Sequence, residues 1–261
     1  MLYRANRLGN NPTRHNLFLA KTTLSANVLV GVSTGETEMR NVILAITLVM
    51  LSISAYSQTR EEDEIMYQHK FDTTVRPVVK IVSATGNLGS GVVIYSNKFT
   101  LIISNEHVVG KLSPKSVEIN GKKHKGTLLK SDAKADLALI RVATTTAYVA
   151  QVSTEPNLFV FEKVILVGCG QGLSPGPSLG IISRIDTEHG IMVDASIISG
   201  MSGGGVFRRE GDDYYLIGII RAMGAKASPI AVNGNTIMTS IPTIGYFIHL
   251  TEVFKFIGDA K

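Results

Sequence analysis

A short glycine-rich segment, Ser199–Gly205, contains the side chain with the clearest chemical potential in this chain. It places the hydroxyl of Ser202 among four glycines and a second serine, between two apolar runs. Glycine lets the backbone turn sharply and direct its N–H groups toward one point, which a developing oxyanion requires. The segment therefore predicts a serine nucleophile for acyl transfer.

Two segments upstream supply the other parts of a nucleophilic site. His107 follows an apolar run that begins at Ile102, and Asp136 opens another, Leu137–Ile140. A histidine can take the proton of a serine hydroxyl, and an aspartate can hold that imidazole in the required tautomer. Each signal alone is common at strand ends and in turns. Together, in the order His, Asp, Ser, they predict a catalytic triad.

The segment around Ser202 also fits the G-x-S-x-G elbow of α/β-hydrolases. That fold requires the order Ser, acid, His, with a strand before the elbow and a helix after it. Here the serine is followed by Val206-Phe207, a charged turn and the apolar run Tyr214–Ile220, and the only histidine downstream is His249. The elbow interpretation is therefore rejected.

Short β-strands must position these residues. From Val75 onward, runs rich in Val, Ile, Leu and Thr alternate with Gly, Pro, Asn, Ser and Lys, which favours an all-β barrel or sandwich. One helix is predicted, over Thr243–Ile257, because apolar residues recur there at helical spacing before Gly258. The predicted strands cover residues 77–83, 90–96, 99–104, 116–120, 125–130, 137–142, 163–168, 179–185, 190–195, 205–208, 214–222 and 236–241.

Composition agrees with a turn-rich β protein. The 261 residues include 25 Gly and no Trp, and 44% are hydrophobic, enough for a substantial core. The single cysteine, Cys169, excludes an intramolecular disulfide and is predicted to be a small buried residue at a strand end.

Charge and histidine spacing argue against nucleic acid and metal. Residues 1–40 hold five basic and two acidic side chains, so they contribute +3 of the net +5, and the predicted catalytic region has little basic excess. The cluster Lys122-Lys123-His124-Lys125 lies beside Asn120-Gly121 and predicts a hairpin turn. The histidines show no metal-ligand spacing. We expect no cofactor, no metal and no nucleic-acid partner.

Residues 42–56 form an uncharged apolar run near the N-terminus. Its length suits the hydrophobic region of a signal peptide better than a membrane span, which needs about 20 residues. A short basic region, Met39-Arg40-Asn41, precedes it, and Ala55-Tyr56-Ser57 offers a cleavage site before Gln58. The pattern predicts export to the periplasm or the exterior.

This signal has consequences for the organisation of the chain. We expect initiation at Met39, so residues 1–38 would be an over-extended start and residues 39–57 a signal peptide. The alternative is an uncleaved anchor that tethers an extracytoplasmic domain to the membrane. Residues 58–76 are predicted to be a linker or a short helix, and residues 77–258 the catalytic domain.

The motifs together resemble the trypsin-like serine peptidases of the HtrA/Deg type, over roughly Pro77 to Ile257. This resemblance implies two six-stranded antiparallel β-barrels with the active site in the cleft between them, His107 and Asp136 on the first and Ser202 on the second. The segments that carry it are Gly89–Ile94, Ser104–Val109, Ala135–Leu139, Asp194-Ala195, Ser199–Gly204 and Leu216–Ile219.

The chemistry of such enzymes assigns the roles. Ser202 Oγ attacks the scissile carbonyl, His107 transfers the proton, and Asp136 orients the imidazole. The N–H groups of Gly200 and Ser202 are predicted to form the oxyanion hole. Two features depart from the family: Met201 stands where HtrA relatives usually have Asn, and no PDZ domain is expected after the terminal helix.

Residues just before the serine predict the substrate pocket. Ser196, Ile197 and Ile198 carry no acid, so a buried Arg or Lys of the substrate would be left unpaired. We expect small or medium apolar side chains at the cleavage position. Arg221 lies on the strand predicted to form the opposite wall, where it faces solvent, restricts the pocket or meets an acidic group. The Gly/Pro-rich segment Gly168–Pro177 is an activation loop or a plain connector.

The partner implied by the resemblance is a polypeptide, namely an unfolded or damaged envelope protein, and HtrA relatives also imply a homo-oligomer. A dedicated processing protease shares the same chemistry. The alternative from another class is a non-catalytic relative that binds polypeptides in its cleft. In that case the peptide at Gly200 would turn a carbonyl, not an N–H, toward the oxyanion hole.

Overall fold

A computed structural model describes residues 35–186, 190–232 and 235–258. The chain divides into two units, residues 1–57 and 58–261. Helix α1 (Gly35–Lys70) contains the apolar run 42–56, whose side chains are exposed. Among the residues that the structure describes, one helix, Thr37–Val75, is long and apolar enough to cross a membrane. The predicted over-extended start falls mostly on residues 1–34, which lie outside the described residues.

The segment expected as a linker continues this helix. Residues 58–70 belong to α1, and a π-helical turn, Phe71–Val75, follows. Thr74 and Val75 are buried, and Val75 joins the hydrophobic core of the second unit. The helix therefore ends where its apolar side chains begin to pack against the β-strands.

The first sheet has seven antiparallel strands in the order β5-β4-β1-β2-β3-β7-β6. Where a six-stranded barrel was expected, the structure has this seven-stranded sheet, with one additional short edge strand, β5, at the predicted hairpin. A four-residue helix, α2 (Glu106–Val109), follows β3. The strands are β1 (Val78–Val82), β2 (Leu88–Ser96), β3 (Thr100–Ser104), β4 (Ser116–Ile119), β5 (Lys122–His124), β6 (Gly126–Asp132) and β7 (Leu137–Val142).

The second sheet is a closed six-stranded barrel in the order β10-β13-β12-β11-β8-β9. A short 3-10 turn, Gly170–Gly172, follows its first strand, and α3 (Leu250–Gly258) follows its last. Its strands are β8 (Lys163–Gly168), β9 (Gly176–Asp186), β10 (Gly190–Ala195), β11 (Gly205–Glu210), β12 (Asp213–Val232) and β13 (Asn235–His249). The predicted all-β class, with a trypsin-like pair of sheets and a terminal helix, is confirmed.

The terminal helix is shorter than predicted, and the range Thr243–Ile257 was wrong at its start. Residues up to His249 belong to β13, which pairs with both β10 and β12. Phe247 lies opposite Ile191 on one side and Ile220 on the other. Ladder hydrogen bonds on two edges satisfy the backbone there, so tertiary pairing overrides the helical spacing of the apolar residues.

One apolar cluster joins the two sheets. It contains Val92 and Ile103 of the first sheet together with Val167 and Phe207 of the second, all fully buried, and it receives Val253 of α3. Each such side chain stabilises the fold by about 1.5–3 kcal/mol through burial. This shared core holds the end of β3 close to the start of β11. His107 lies just after the end of β3, and Ser202 lies just before the start of β11.

Candidate active site

His107 and Asp136 meet where two paired strands end. Ser104 of β3 lies opposite Ala138 of β7, so the residues just after β3 are close to those just before β7. Asn105 is buried, and its Nδ2 donates a hydrogen bond to the Asp136 carbonyl at 3.0 Å. This side-chain link ties the start of α2 to the β6–β7 turn.

The imidazole of His107 is held by the carboxylate of Asp136. Nδ1 lies 2.9 Å from both carboxylate oxygens, and the His107 backbone N–H donates to Oδ1 at 3.1 Å. An ionised carboxylate only accepts hydrogen bonds, so this contact requires the proton on Nδ1 and leaves Nε2 as an acceptor. The carboxylate is 10% exposed and the imidazole 47% exposed, which leaves the ring open to a substrate.

The β6–β7 turn gives Asp136 its orientation. Asp132 Oδ1 accepts the N–H groups of Lys134 and Ala135 at 2.7 and 3.1 Å. The Ala135 and Lys134 N–H groups hold the pKa of Asp132 below its ordinary value. Asp136 itself has φ +55°, a left-handed conformation that Asp adopts more readily than most residues.

Ser202 lies half-buried in a glycine turn, and three N–H groups of this turn donate backbone hydrogen bonds. Met201 N–H donates to Ile198 O, Gly203 N–H to Ile220 O and Gly204 N–H to Met201 O, at 2.8–3.1 Å. Within the described residues, the N–H groups of Gly200 and Ser202 donate to no protein acceptor. The turn thus leaves two N–H groups beside the Ser202 side chain without an internal partner.

Glycine is required at both bends of this turn. Gly200 has φ +94° and Gly203 has φ +84°. A Cβ on Gly200 would lie 2.5 Å from the Cys169 carbonyl oxygen, and one on Gly203 would collide with the Ser90 carbonyl and the Ser104 hydroxyl. The turn therefore combines backbone angles and close approaches that side chains would prevent.

Strand β12 contacts both the turn that carries Ser202 and the carboxylate of Asp136. Gly203, next to Ser202, bonds Ile220, and Arg221 follows with its Nε 3.4 Å from Asp136 Oδ2. No hydrogen bond links the Ser202 hydroxyl to His107 among the residues that the structure describes. Hydrogen bonds of this kind are often long without substrate and tighten when it binds.

The predicted pocket residues fall in three environments. Ser196 and Ile198 are exposed, and Ile198 lies against Gly170, where an added Cβ would collide with it. Ile197 is 1% exposed and packs in the core of the second barrel. The Arg221 guanidinium is 48% exposed and has Asp136 as its acidic partner, so this residue reaches the predicted catalytic carboxylate.

Ser90 is a residue near the site that the sequence motifs did not single out. Its hydroxyl donates to the Gly200 carbonyl at 2.7 Å and accepts the Cys169 N–H at 2.8 Å. Its backbone N–H donates to the Ser202 carbonyl at 2.8 Å. The only sequence signal was its position between two glycines, Gly89 and Gly91, in a strand otherwise filled with apolar residues.

Cys169 is buried, as predicted. Burial raises the pKa of its thiol to about 11, so the thiol stays protonated at neutral pH and is a poor nucleophile. Among the described residues, no group of three or more His, Cys, Asp or Glu side chains is placed to hold a metal ion.

Comparisons with known proteins agree on one family. The model of the family described as "Trypsin-like peptidase domain" matches residues 89–219. The "Probable periplasmic serine endoprotease DegP-like" of Buchnera aphidicola subsp. Baizongia pistaciae is 34% identical over 146 residues, which are 52% of this chain and 30% of that protein. A "Serine protease HtrA-like" of Staphylococcus aureus is 28% identical over 195 residues, 67% of this chain and 23% of that protein.

The fold has a counterpart among solved structures. The serine endoprotease from Yersinia pestis superposes with a TM-score of 0.59 and 23% identity, over 74% of this chain and 66% of that chain. The similarity supports the two-sheet fold. The chain spans less than a third of the length of the two curated relatives named above.

Proposed function

This chain belongs to the trypsin-like peptidase family, and we propose that it is a serine endopeptidase of the HtrA type acting through His107, Asp136 and Ser202. The resemblance to HtrA/Deg peptidases is confirmed by the DegP-like and HtrA-like relatives. The observation that carries the proposal is the Ser202 turn, in which the N–H groups of Gly200 and Ser202 donate to no acceptor among the described residues.

The proposed reaction is acyl transfer followed by hydrolysis. Ser202 Oγ attacks the carbonyl carbon of the scissile peptide bond while His107 Nε2 takes the hydroxyl proton. The N–H groups of Gly200 and Ser202 hydrogen-bond the resulting oxyanion, each contributing about 3 kcal/mol in the transition state. His107 then gives the proton to the leaving amine as the C–N bond breaks and the acyl-enzyme forms. Water attacks the acyl-enzyme as His107 takes its proton, and the proton returns to Ser202 Oγ as the acid product leaves.

The direction of the Gly200 N–H favours catalysis over the non-catalytic alternative. The Ser199 carbonyl accepts the Gln171 N–H at 2.6 Å. In a trans peptide the carbonyl and the N–H point in opposite directions, so the Gly200 N–H points away from Gln171. The alternative requires this peptide to be reversed, which would break the bond to Gln171.

The proposed substrates are unfolded or damaged polypeptides with small or medium apolar side chains at the cleavage position. The exposed pocket residues Ser196 and Ile198 provide no carboxylate for a basic side chain. The proposed place of action is outside the cytoplasm, in the periplasm or beyond it, because the helix Thr37–Val75 is compatible with an export signal or an anchor. An uncleaved helix would tether the enzyme to the membrane.

A fluorophosphonate probe tests the proposal. We would label the full chain in detergent, locate the adduct by mass spectrometry, and compare it with Ser202→Ala and His107→Ala. Labelling at Ser202 that is lost in the first variant and slowed by several orders of magnitude in the second is the expected result. A folded protein that is not labelled would favour the polypeptide-binding alternative.

A further inference from the structure

Ser90 is completely buried in β2, and all of its polar groups are hydrogen-bonded, either to the Cys169 and Ser202 segments or to the neighbouring strand β3. Its carbonyl accepts the Ser104 hydroxyl at 2.6 Å, and its N–H donates to the Ser202 carbonyl. Its hydroxyl bridges two segments of the second sheet, Cys169 and Gly200. One small side chain thereby links the first sheet to the predicted nucleophile turn.

The direction of these hydrogen bonds is determined. The Cys169 backbone N–H can only donate, so the Ser90 oxygen accepts there and the single hydroxyl proton goes to the Gly200 carbonyl. No alternative orientation of the hydroxyl satisfies both groups. The Gly200 carbonyl is therefore held by a donor that lies 110 positions earlier in the chain.

The hydrogen bond from the Ser90 hydroxyl to the Gly200 carbonyl restricts the conformation of Gly200, whose N–H is a proposed oxyanion donor. Gly200 has no side chain and rotates freely in isolation, and its φ of +94° is one of several that glycine can adopt. The Ser199 carbonyl before it is held by Gln171, and its own carbonyl is held by Ser90. Both peptide planes around Gly200 are thus fixed by other segments, and with them the direction of its N–H.

The backbone around Ser90 is closely packed. A Cβ on the flanking Gly89 would collide with Val108, and one on Gly91 would lie 2.6–2.7 Å from Ile102 and Ile81. Gly203 packs so closely on Ser90 that it cannot carry a side chain. An alanine at position 90 would fit, but it would leave the Gly200 carbonyl and the Cys169 N–H buried without a partner.

We propose that Ser90 is a positioning residue: by holding the Gly200 carbonyl, its hydroxyl fixes the peptide plane that follows Gly200 and, together with Gln171 on the preceding plane, keeps the Gly200 N–H directed at the oxyanion. The inference rests on the proposed serine endopeptidase function. It assigns Ser90 no contact with the substrate, so its removal should lower the rate of the chemical step and leave substrate binding nearly unchanged.

The test compares Ser90→Ala with Ser83→Ala in the full chain in detergent. Ser83 is also buried, and its hydroxyl also accepts a backbone N–H, that of Asn87 at 2.9 Å, at a turn outside the site. The second-order rate of fluorophosphonate labelling at Ser202 should fall about 10- to 100-fold in Ser90→Ala, less than or similar to the loss of one oxyanion donor. Ser83→Ala should label at the wild-type rate, even where the two variants lose similar thermal stability.

A matched pair separates the hydroxyl from the shape of the side chain. Thr and Val have nearly the same volume, so Ser90→Thr should label at least ten times faster than Ser90→Val. This comparison also serves if Ser90→Ala fails to fold. On a peptide substrate, kcat should fall in Ser90→Ala with little change in KM.

The outcomes are distinguishable. If the wild-type chain does not label at Ser202, the proposed function fails. If the wild type labels but Ser90→Ala labels equally fast, or Thr and Val behave alike at position 90, the positioning role of Ser90 is overturned and the peptidase assignment stands.

Discussion

His107 and Asp136 reach each other through side chains carried by one sheet, whereas Ser202 depends on a backbone turn held by several distant segments. The carboxylate of Asp136 receives two contacts from His107 within the β3–β7 region. The turn around Ser202 is bonded to Ser90, Gln171 and Ile220, which belong to three different segments. The His107–Asp136 contact forms between two residues of one sheet, whereas the Ser202 turn takes its conformation only when several distant segments pack around it.

This difference predicts where the site is fragile. In the His–Asp half, a substitution acts on the chemistry and leaves the backbone in place. In the Ser202 half, a substitution that moves the backbone removes oxyanion donors without changing any side chain that reacts. Four predictions, in order of expected effect, test the contrast.

Asp136→Asn should cause the largest loss, about 10⁴-fold in kcat, with a normal fold. The amide can donate to His107 Nδ1, which favours the tautomer that protonates Nε2 and removes the general base. Steady-state kinetics on a peptide substrate and circular dichroism check the two parts. A loss of less than about tenfold would mean that Asp136 does not orient the imidazole.

Gly203→Ala should lower activity by about 100-fold or more, the cost of losing an oxyanion donor. The added methyl group collides with the Ser90 carbonyl and the Ser104 hydroxyl, so the turn must move away from the first sheet. Gly211→Ala is the control, because Gly211 has φ +65° but open space around it. Labelling rates and thermal unfolding measure both variants. Equal losses of labelling rate in the Gly203 and Gly211 variants would show that the positive φ, not the close approach to Ser90 and Ser104, is decisive.

Arg221→Gln should lower kcat on a peptide substrate by about two- to fivefold, the effect of losing a weak, partly exposed ion pair. The charged groups that meet at this point are Asp136, His107 and Arg221. Removing the guanidinium takes from Asp136 one of the partners that hold its carboxylate, and the 48% exposure of Arg221 keeps the effect small because solvent screens the charge.

Two substitutions control the Arg221 experiment. Arg221→Lys should retain most of the wild-type kcat because the charge remains, and Arg209→Gln removes an exposed arginine paired with Asp212 outside the site. A changed KM with an unchanged kcat in Arg221→Gln would instead favour the predicted role of Arg221 in the substrate pocket.

Glu210→Gln should have the smallest effect and change stability alone. Glu210 lies at the end of β11, in the barrel that follows the Ser202 turn. Arg208 is buried and donates to Glu210 at 2.6 Å. Burial acts to raise the pKa of Glu210, but hydrogen bonds from Ser153 and Arg208 lower it overall. Ionised Glu210 therefore stabilises the fold above the ordinary glutamate pKa, and this contribution is lost as pH falls through the lowered value.

The corresponding measurement is urea unfolding from neutral pH to about pH 3. The wild type should be more stable than Glu210→Gln at neutral pH, and the difference should shrink on acidification. Asp212→Asn, which changes a fully exposed carboxylate, should show no such convergence. A difference that is constant with pH would mean that the charge of Glu210 is not what stabilises the barrel.

Much of the fold followed from local pattern, and the exceptions have physical causes. The strands β3, β7, β8 and β10 begin and end within a residue of their predicted positions, because alternating apolar runs are bounded there by turn residues. The start of α3 was misplaced because Ile244, Phe247 and Ile248 suit a helix and a strand equally. Only pairing with β10 and β12 decides between them.

The site divides in the same way. His107, Asp136 and Ser202 were predicted from residue type, glycine context and chain order. The partner of Arg221 was left open between solvent, the pocket and an acidic group, because a strand residue can meet any of these until its neighbours are known. Ser90 was quoted within a motif but given no role, since nothing near it in the chain indicates that its hydroxyl meets Gly200.

The sequence alone therefore predicted the chemical inventory: a candidate nucleophile, base and acid in trypsin-like order, next to β-strands without disulfides. Residue type and short-range spacing are sufficient for these conclusions, because nucleophilicity, basicity and turn formation are local properties. Tertiary structure alone decided which carbonyls of the turn are held, that the Gly200 and Ser202 N–H groups donate to no acceptor among the described residues, and that Arg221 meets Asp136. Those features depend on hydrogen bonds between residues as far apart in the chain as Ser90 and Ser202, and packing of the two sheets brings such residues together.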